Sequence, residues 1–262
     1  MVALSSHTSS EFVKLLYCGN SGTGKTGSLV SLVSAGYKLR ILDLDNGVKM
    51  LQSYIKRDCP DRMDQVDVET RRDKFKSTNA GVIVDGAPKA YVEATKLLTK
   101  WSDDSIPSEW GNDTIFVLDS LTALGDAAFE WAKGMAPTVK DPRQWYGTAG
   151  ASIEHIIALL TSPDFHAHVI VITHVRTHEI AEGLNIDIPT SIGSALGRTI
   201  PRYFNNMILA TSSGSGQNVK RRISTVPTGV MDLKNEAPFT VPATVPLETG
   251  MAQLFEIIRE SI

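Results

Sequence analysis

Short apolar runs recur along the chain, and segments with helical periodicity lie between them. The runs that end at a glycine or a polar residue predict buried strands at residues 12–18, 39–44, 114–118 and 169–173. Apolar residues at helical spacing predict helices at residues 25–35, 87–101, 124–133, 145–161 and 250–262. The first strand, the first helix and the second strand form a βαβ unit, which implies parallel strands.

Other segments carry weaker signals. Val66 and Val68 alternate with polar residues, and residues 81–84 are mostly apolar, so each stretch predicts a short strand. Residues 176–198 lack clear periodicity and contain three glycines, which predicts a mobile loop.

The sequence predicts that the C-terminal part of the chain forms one edge of the sheet. Residues 204–211 predict a strand, and residues 212–216 form a flexible Ser/Gly turn. Residues 219–226 and 229–233 predict a hairpin. The resulting fold is α/β, with a mainly parallel central sheet flanked by helices and an antiparallel C-terminal edge. It forms one domain at residues 12–262, after a flexible N-terminal tail at residues 1–11.

Composition narrows the class of protein. The 262 residues are 42% apolar, which suits one large α/β domain. The net charge of −3 does not indicate a globally basic nucleic-acid binder, so nucleic-acid contact requires a local patch. Two cysteines are too few for a disulfide framework, and no signal peptide or membrane-spanning run is present, so we expect a cytoplasmic protein with no membrane contact.

The strongest chemical signal directly follows the first strand. It matches G-x-x-x-x-G-K-[ST] between a strand and a helix, which is the context that a P-loop requires. Its glycines let backbone N–H groups point at phosphates, Lys25 supplies a charge for the β- and γ-phosphates, and the Thr26 hydroxyl is a ligand for Mg²⁺. The predicted cofactors are ATP and Mg²⁺. The predicted nucleotide-binding residues are Gly19, Asn20, Ser21, Gly22, Thr23, Gly24, Lys25, Thr26 and Gly27.

The same loop also fits a dinucleotide-binding pattern. Residues 22–27 match G-x-G-x-x-G, and Asp43 follows near the distance expected for a ribose-binding carboxylate. However, such a turn begins immediately after its strand, whereas residues 19–21 intervene here. A dinucleotide site also leaves the Lys-Thr pair unexplained.

A second motif ends the third apolar strand at Asp119. A carboxylate in this position next to a P-loop orients Mg²⁺, usually through water. Strands also end at aspartate simply because it caps a turn, but the P-loop favours the metal-binding interpretation.

Three segments resemble RecA-like recombinases in order and spacing. Residues 118–124 (LDSLTAL) resemble the Walker B stretch, residues 172–176 (ITHVR) the γ-phosphate-sensing segment, and residues 233–239 (LKNEAPF) the segment that inserts lysine fingers into a neighbouring subunit. The short chain and residues 145–174 are most similar to compact phage-encoded ATPases grouped with single-strand annealing proteins of the Sak type. This resemblance implies a RecA-like P-loop NTPase core that hydrolyses ATP, forms a homo-oligomeric ring or filament, and binds single-stranded DNA in recombination, annealing or replication.

The resemblance also implies roles for individual residues. Asp45 occupies the place of a catalytic glutamate that orients the attacking water, with Asp43 or a water chain as alternatives. Lys234 corresponds to a lysine finger acting in trans, although Glu236 stands where a second cation is common; an ordinary surface lysine is the alternative.

His174 occupies the sensor position in this resemblance. It is alternatively a hydrogen-bonded histidine at a strand end, or a metal ligand together with His168 or His178. Zinc requires a closed ligand set, and no cysteine lies nearby in the sequence.

Candidate DNA contacts come from cationic residues near the predicted loop and turn. The residues are Arg176, Arg198, Arg202, Lys220, Arg221 and Arg222. Backbone charge contacts would give salt-sensitive, sequence-tolerant binding to single strands, and a single-strand-binding protein is a possible partner. Three consecutive cations are also typical of a solvated face. Two other functions stay open, namely a nucleotide or small-molecule kinase and an ATP-dependent loader with little hydrolysis.

Overall fold

A computed structural model describes residues 11–79 and 81–261. Residues 1–10 of the predicted tail lie outside this range. The strands are β1 Lys14–Gly19, β2 Lys38–Asp43, β3 Val66–Thr70, β4 Phe75–Thr78, β5 Gly81–Val84, β6 Thr114–Asp119, β7 His168–Ala181, β8 Leu184–Thr190, β9 Asn206–Ser213, β10 Lys220–Ser224 and β11 Thr244–Pro246. The helices are α1 Lys25–Ser28, α2 Val30–Ser34, α3 Val48–Asp58, α4 Ala90–Thr99, α5 Leu121–Met135, α6 Pro142–Thr161, α7 Gly193–Thr199 and α8 Leu247–Glu260.

The central sheet has the strand order β11-β10-β9-β1-β7-β6-β2-β3, and β8 pairs with β7. Neighbours from β9 to β3 are parallel. Strands β10 and β11 are antiparallel additions at one edge. This topology confirms the predicted α/β class, with its mainly parallel sheet and antiparallel C-terminal edge.

Helices cover both faces of the sheet. Helices α1, α2, α3 and α8 pack on one face, and α4, α5, α6 and α7 pack on the other. Every residue of β1 and β6 is therefore buried, which explains why their sequences are apolar runs without alternation. The carboxyl ends of β1, β2, β6 and β7 meet at one edge, where Cys18 pairs with Thr173 and Asp43 pairs with Asp119.

The predicted mobile loop at residues 176–198 is wrong. Strand β7 continues to Ala181, and residues 182–183 turn the chain into β8, which pairs back along β7. Gly183 has φ +75°, which a side chain disfavours, so this glycine marks a tight turn. The hairpin projects beyond the core, with many exposed residues on both faces, and therefore lacks the apolar alternation of a half-buried strand.

The predicted pairing of residues 219–226 with residues 229–233 is also wrong. Strand β10 pairs with β9 and with β11, and residues 229–233 form no strand. The Ser/Gly turn at residues 212–216 lies at the end of β9, in the connection to β10. Strand β11 pairs with β10 although twenty residues separate Ser224 from its partner Thr244. Local periodicity does not indicate such a tertiary contact.

The remaining predictions match the structure apart from their boundaries. The short strands are present as β3 and β5, and β5 pairs with β4, which the sequence did not indicate. Helix α3 was not predicted, because its polar face is wide and its buried face contains only Leu51 and Ile55. No helix among residues 11–79 and 81–261 combines the length and apolar character needed to cross a bilayer.

Candidate nucleotide-binding site

The predicted P-loop connects β1 to α1. Gly22 and Gly24 have φ of +78° and +95°, a region that side chains disfavour, so glycine permits the tight curl of the loop. Thr23 closes the turn by donating its hydroxyl to the Asn20 carbonyl at 2.8 Å. Helix α1 begins at Lys25, which gives the strand–loop–helix arrangement of an anion site.

Lys25 is folded back over this loop and is only 6% exposed. Its Nζ donates to the carbonyls of Gly19 at 2.7 Å and Asn20 at 3.0 Å. Burial lowers the pKa of Lys25, while the negative charge of Asp119 opposes that shift. A phosphate at the loop would compete with these two carbonyls for the ammonium group.

Thr26 and Asp119 lie side by side at the mouth of the loop. The Thr26 hydroxyl donates to Asp119 Oδ2 at 2.6 Å. Burial raises the pKa of Asp119 to about 6, although the Thr26 hydrogen bond lowers it, and the charges of Asp45 and Asp43 raise it further. A site that holds carboxylates so close together favours a bound cation.

Thr26 and Asp119 face a space that a side chain at residue 47 would enter. A Cβ on Gly47 would lie 3.4 Å from Thr26 Oγ1 and 3.6 Å from Asp119 Oδ2, so the missing side chain leaves this space open. A hydroxyl and a carboxylate are hard oxygen ligands of the kind that Mg²⁺ prefers. Thr26 and Asp119 are therefore the residues that would hold the metal.

Asp43, at the end of β2, and Asp45, two residues after it, have different environments. Asp43 is fully buried, and its Oδ1 accepts hydrogen bonds from the N–H groups of Asn46 at 2.8 Å and Gly47 at 3.3 Å. Asp43 thus organises the turn into α3 and does not line the cleft, which argues against a ribose-binding role. Asp45 lines the cleft beside Asp119.

His174 faces Asp45 across the cleft. Its Nε2 lies 3.9 Å from Asp45 Oδ2. Burial and the charge of Lys25 lower the pKa of His174, and Asp45 only partly offsets them, so the site favours the neutral imidazole. His168 is buried at the opposite end of the strand core, where its Nδ1 accepts from Val13 N–H at 2.9 Å. In the described part of the chain, no three His, Cys, Asp or Glu side chains are grouped to bind a metal.

A short hydrogen-bond chain joins the His174 backbone to the β7–β8 hairpin. His174 N–H donates to Thr122 Oγ1 at 3.1 Å, and the Thr122 hydroxyl donates to the Thr190 carbonyl at 2.7 Å. Thr173 donates to the same carbonyl at 2.7 Å. The end of β8 is thereby held against both the Walker B helix α5 and the strand that carries His174.

The P-loop forms one wall of a cleft of about 880 Å³. The cleft also contains residues that the sequence interpretation missed: Met50, Tyr54, Arg57, Asp58, Leu247, Glu248 and Thr249. Tyr54 packs so closely on α1 that a Cβ on Gly27 would collide with its ring. These residues come from α3 and from the start of α8, and no local motif marked them.

Arg221 lies in this cleft as well. A Cβ on Gly24 would lie 3.3 Å from Arg221 Cδ and 3.7 Å from Nε. The sequence interpretation grouped Arg221 with Lys220 and Arg222 as a DNA-binding run. The strand separates them, since Lys220 and Arg222 are exposed on one face while Arg221 shares the other face with buried Ile223.

The other predicted DNA-binding cations lie on the surface. Arg176 is exposed on the β7–β8 hairpin and Arg198 is exposed on α7. Arg202 is also exposed, but it forms an ion pair with Glu154 at 2.7 Å and contacts the Tyr203 ring.

Lys234 does not line the cleft of its own chain. Its backbone pairs with Met207, near the amino end of β9. Glu236 accepts hydrogen bonds from the side-chain amides of Asn205 at 2.6 Å and Asn206 at 2.7 Å. Glu236, which stands where the resemblance implies a second cation, thus links side chains within its own chain.

Comparisons with known proteins find one matching family model and similar solved structures. A family model described as the AAA domain matches residues 11–236, which include the P-loop, Asp119 and His174. A KaiC-like protein from the archaeon Pyrococcus horikoshii is 13% identical over 81% of this chain and 77% of its own, with a TM-score of 0.40. The flagellar accessory protein FlaH from Methanocaldococcus jannaschii is 10% identical over 88% of this chain and 83% of its own, with a TM-score of 0.42. No curated protein sequence matches. The match over most of the chain, together with the P-loop and Asp119, shows that this protein belongs to the AAA domain family of P-loop ATPases.

Proposed function

We propose that this protein is a Mg²⁺-dependent ATPase that assembles with copies of itself and acts on single-stranded DNA. The observation that carries the ATPase proposal is the 2.6 Å contact between the P-loop Thr26 hydroxyl and Asp119. That contact joins the two motifs that hold a metal-bound triphosphate in this class of site.

Hydrolysis would depend on positioning and electrostatics. Lys25 would exchange its two carbonyl partners for phosphate oxygens and neutralise charge there. Asp45 would orient a water for in-line attack and accept its proton, because it is the accessible carboxylate next to Asp119. Bound Mg²⁺ supplies further charge neutralisation on the phosphates.

A coupling between nucleotide and DNA is supported by the threonine contacts of the His174 segment. His174 lies at the cleft, its backbone is bonded to Thr122, and Thr122 in turn holds the end of the β7–β8 hairpin. The hairpin carries exposed Arg176, and exposed Arg198 follows on α7. Movement of His174 toward a γ-phosphate would therefore shift a surface that carries Arg176 and Arg198. We propose a single-strand-binding protein as a further partner.

The proposal is tested by ATP turnover with and without single-stranded DNA, combined with sizing in the presence of an ATP analogue. We expect DNA-stimulated turnover and a larger assembly with the analogue. A monomer whose turnover does not change with DNA would contradict the proposed DNA binding and assembly, while the proposed ATPase activity would stand.

Shared sites are tested by mixing subunits. Lys234 lies outside its own cleft, so Lys234→Ala subunits mixed with Asp119→Asn subunits should recover part of the activity that each lacks alone. Absence of recovery would assign each ATP site to a single chain.

A second function, transfer of phosphate to a small molecule, is favoured by one observation. A second cavity of about 420 Å³ also reaches Asp45, and Arg71, Arg72 and Phe129 are among its lining residues. An acceptor bound there would lie beside the catalytic carboxylate. A screen with γ-labelled ATP separates the two functions, because only a kinase moves the label onto an acceptor instead of releasing it as phosphate.

A further inference from the structure

Arg221 enters the nucleotide cleft from the side opposite the carboxylates. Strand β10 is separated from β1 by β9. Asp119 on β6, His174 on β7 and Asp45, two residues after β2, lie on the other side of β1. The cleft is therefore lined by acidic groups on one side of the P-loop and by this arginine on the other.

The Arg221 guanidinium has no hydrogen bond or ion pair with any residue that the structure describes. Its Nε is buried and makes no hydrogen bond within residues 11–79 and 81–261. Glu248 lines the same cleft, but no ion pair joins it to Arg221 in the described chain. A buried donor without an acceptor destabilises a protein, so such a group is commonly explained by an ordered water, an ion or a functional role.

Gly24 brings the arginine close to the phosphate-binding amides. Any side chain on Gly24 would press against Arg221 Cδ and against Leu247, whose Cδ2 lies 3.1 Å from the position of a Cβ. Glycine at this position thus permits both the φ of +95° and the approach of Arg221. The guanidinium is held near the last loop residue before Lys25.

The chemistry of the side chain matches a polyphosphate. A guanidinium carries five N–H donors in a planar fork, and this geometry suits two phosphate oxygens at once. The neighbouring cations of β10 do not share the position, because Lys220 and Arg222 are exposed on the opposite face.

We propose that Arg221 binds the phosphates of the nucleotide in cis, as a second cation alongside Lys25. The assignment rests on the proposed ATPase function, whose nucleotide it would bind. It makes the antiparallel C-terminal edge of the sheet part of the nucleotide site.

Calorimetric titration with Mg²⁺ and AMP-PNP tests the assignment. Arg221→Met should weaken binding about tenfold to a hundredfold, since hydrogen bonds to charged groups contribute that much. Arg221→Lys should lose less, because it keeps the charge and loses only the fork. The matched control is Arg143→Gln, which removes an exposed arginine paired with Asp141 and should bind as the wild type does.

Urea denaturation without nucleotide separates ligand binding from a structural role. Arg221→Met removes the unpartnered donor, so the nucleotide-free variant should be at least as stable as the wild type. A clear loss of stability would make the arginine a structural residue and overturn the proposal. Affinity within about twofold of the wild type would also overturn it. Failure of the wild type itself to bind AMP-PNP would remove the proposed function together with this assignment.

Discussion

The two sides of the nucleotide cleft differ in charge and in the kind of ion that would neutralise that charge. The carboxylate side has Asp45, Asp119 and buried Asp43 close together, and their mutual repulsion helps to raise the pKa of Asp119. The arginine side has Arg221, with a buried donor that no described residue satisfies. A cation would stabilise the first side and an anion the second, so a metal-bound polyphosphate would complement both at once.

Lys25 lies between the two sides, and its removal should have the largest effect. Lys25→Ala should lower kcat by about a hundredfold to a thousandfold, because a preorganised cation on the phosphates is lost. Steady-state phosphate release measures this effect. Lys133→Ala is the control, since Lys133 is a surface residue that pairs with Glu130. Turnover close to the wild-type rate in Lys25→Ala would refute the placement of the phosphates.

Substitution of Asp45 tests the carboxylate side of the cleft alone. Asp45→Asn should reduce kcat about a hundredfold while nucleotide affinity changes little, because the side chain acts on water and not on the phosphates. Single-turnover assays together with calorimetry separate these two quantities. Asp104→Asn, in an exposed ion pair with Lys100, serves as the control. Weakened binding with normal turnover would assign Asp45 to nucleotide binding.

Asp119 makes the stability of the nucleotide-free protein depend on pH. Its folded pKa of about 6 lies above the ordinary value of 3.8, so folding favours the protonated carboxyl group. The resulting stabilisation, about 3 kcal/mol, is fully present below pH 4 and is lost as pH rises through 6.

Urea denaturation across this pH range checks the prediction. The free energy of unfolding of Asp119→Asn should lack this decline, so the variant gains on the wild type as pH rises. Parallel pH curves for the two proteins would show that Asp119 is not the titrating group.

Substitution of the two cations on the exposed face of β10 should give the smallest effect, a change in the salt dependence of DNA binding. Lys220→Gln combined with Arg222→Gln should reduce the salt slope of single-strand binding by about 1.4, since each phosphate contact contributes about 0.7. Fluorescence anisotropy with a labelled oligothymidine measures the slope. The paired controls Lys133→Gln and Arg143→Gln should keep it. An unchanged slope in the β10 variant would remove both cations from the DNA-binding surface.

The carboxylate side was predictable because its residues follow apolar strands or belong to a motif of fixed spacing. Asp119 ends β6, and His174 directly follows the apolar part of β7, while Lys25 between the two sides follows the P-loop glycines. Arg221 and the start of α8 were not predictable in this way, because they reach the loop through pairing of β10 with β9 and β11. Only strand alternation, which puts Arg221 on the face of buried Ile223, contained a local signal.

The hairpin at β7 and β8 shows the same limit. Its register depends on pairing along an exposed ribbon, such as the 2.7 Å hydrogen bond from Thr177 to Asp187, and not on burial of an apolar face. The lack of clear periodicity, together with three glycines, therefore predicted a loop there. Strands β1 and β6, which are buried on both faces, were predicted to within two residues at each end.

The most direct test of the account is a crystal structure with AMP-PNP and Mg²⁺. We expect the phosphates inside residues 19–26, a metal ion beside Thr26 and Asp119, and Lys25 Nζ moved from the Gly19 and Asn20 carbonyls onto a phosphate oxygen. A nucleotide bound elsewhere, with Lys25 still bonded to those two carbonyls, would contradict it.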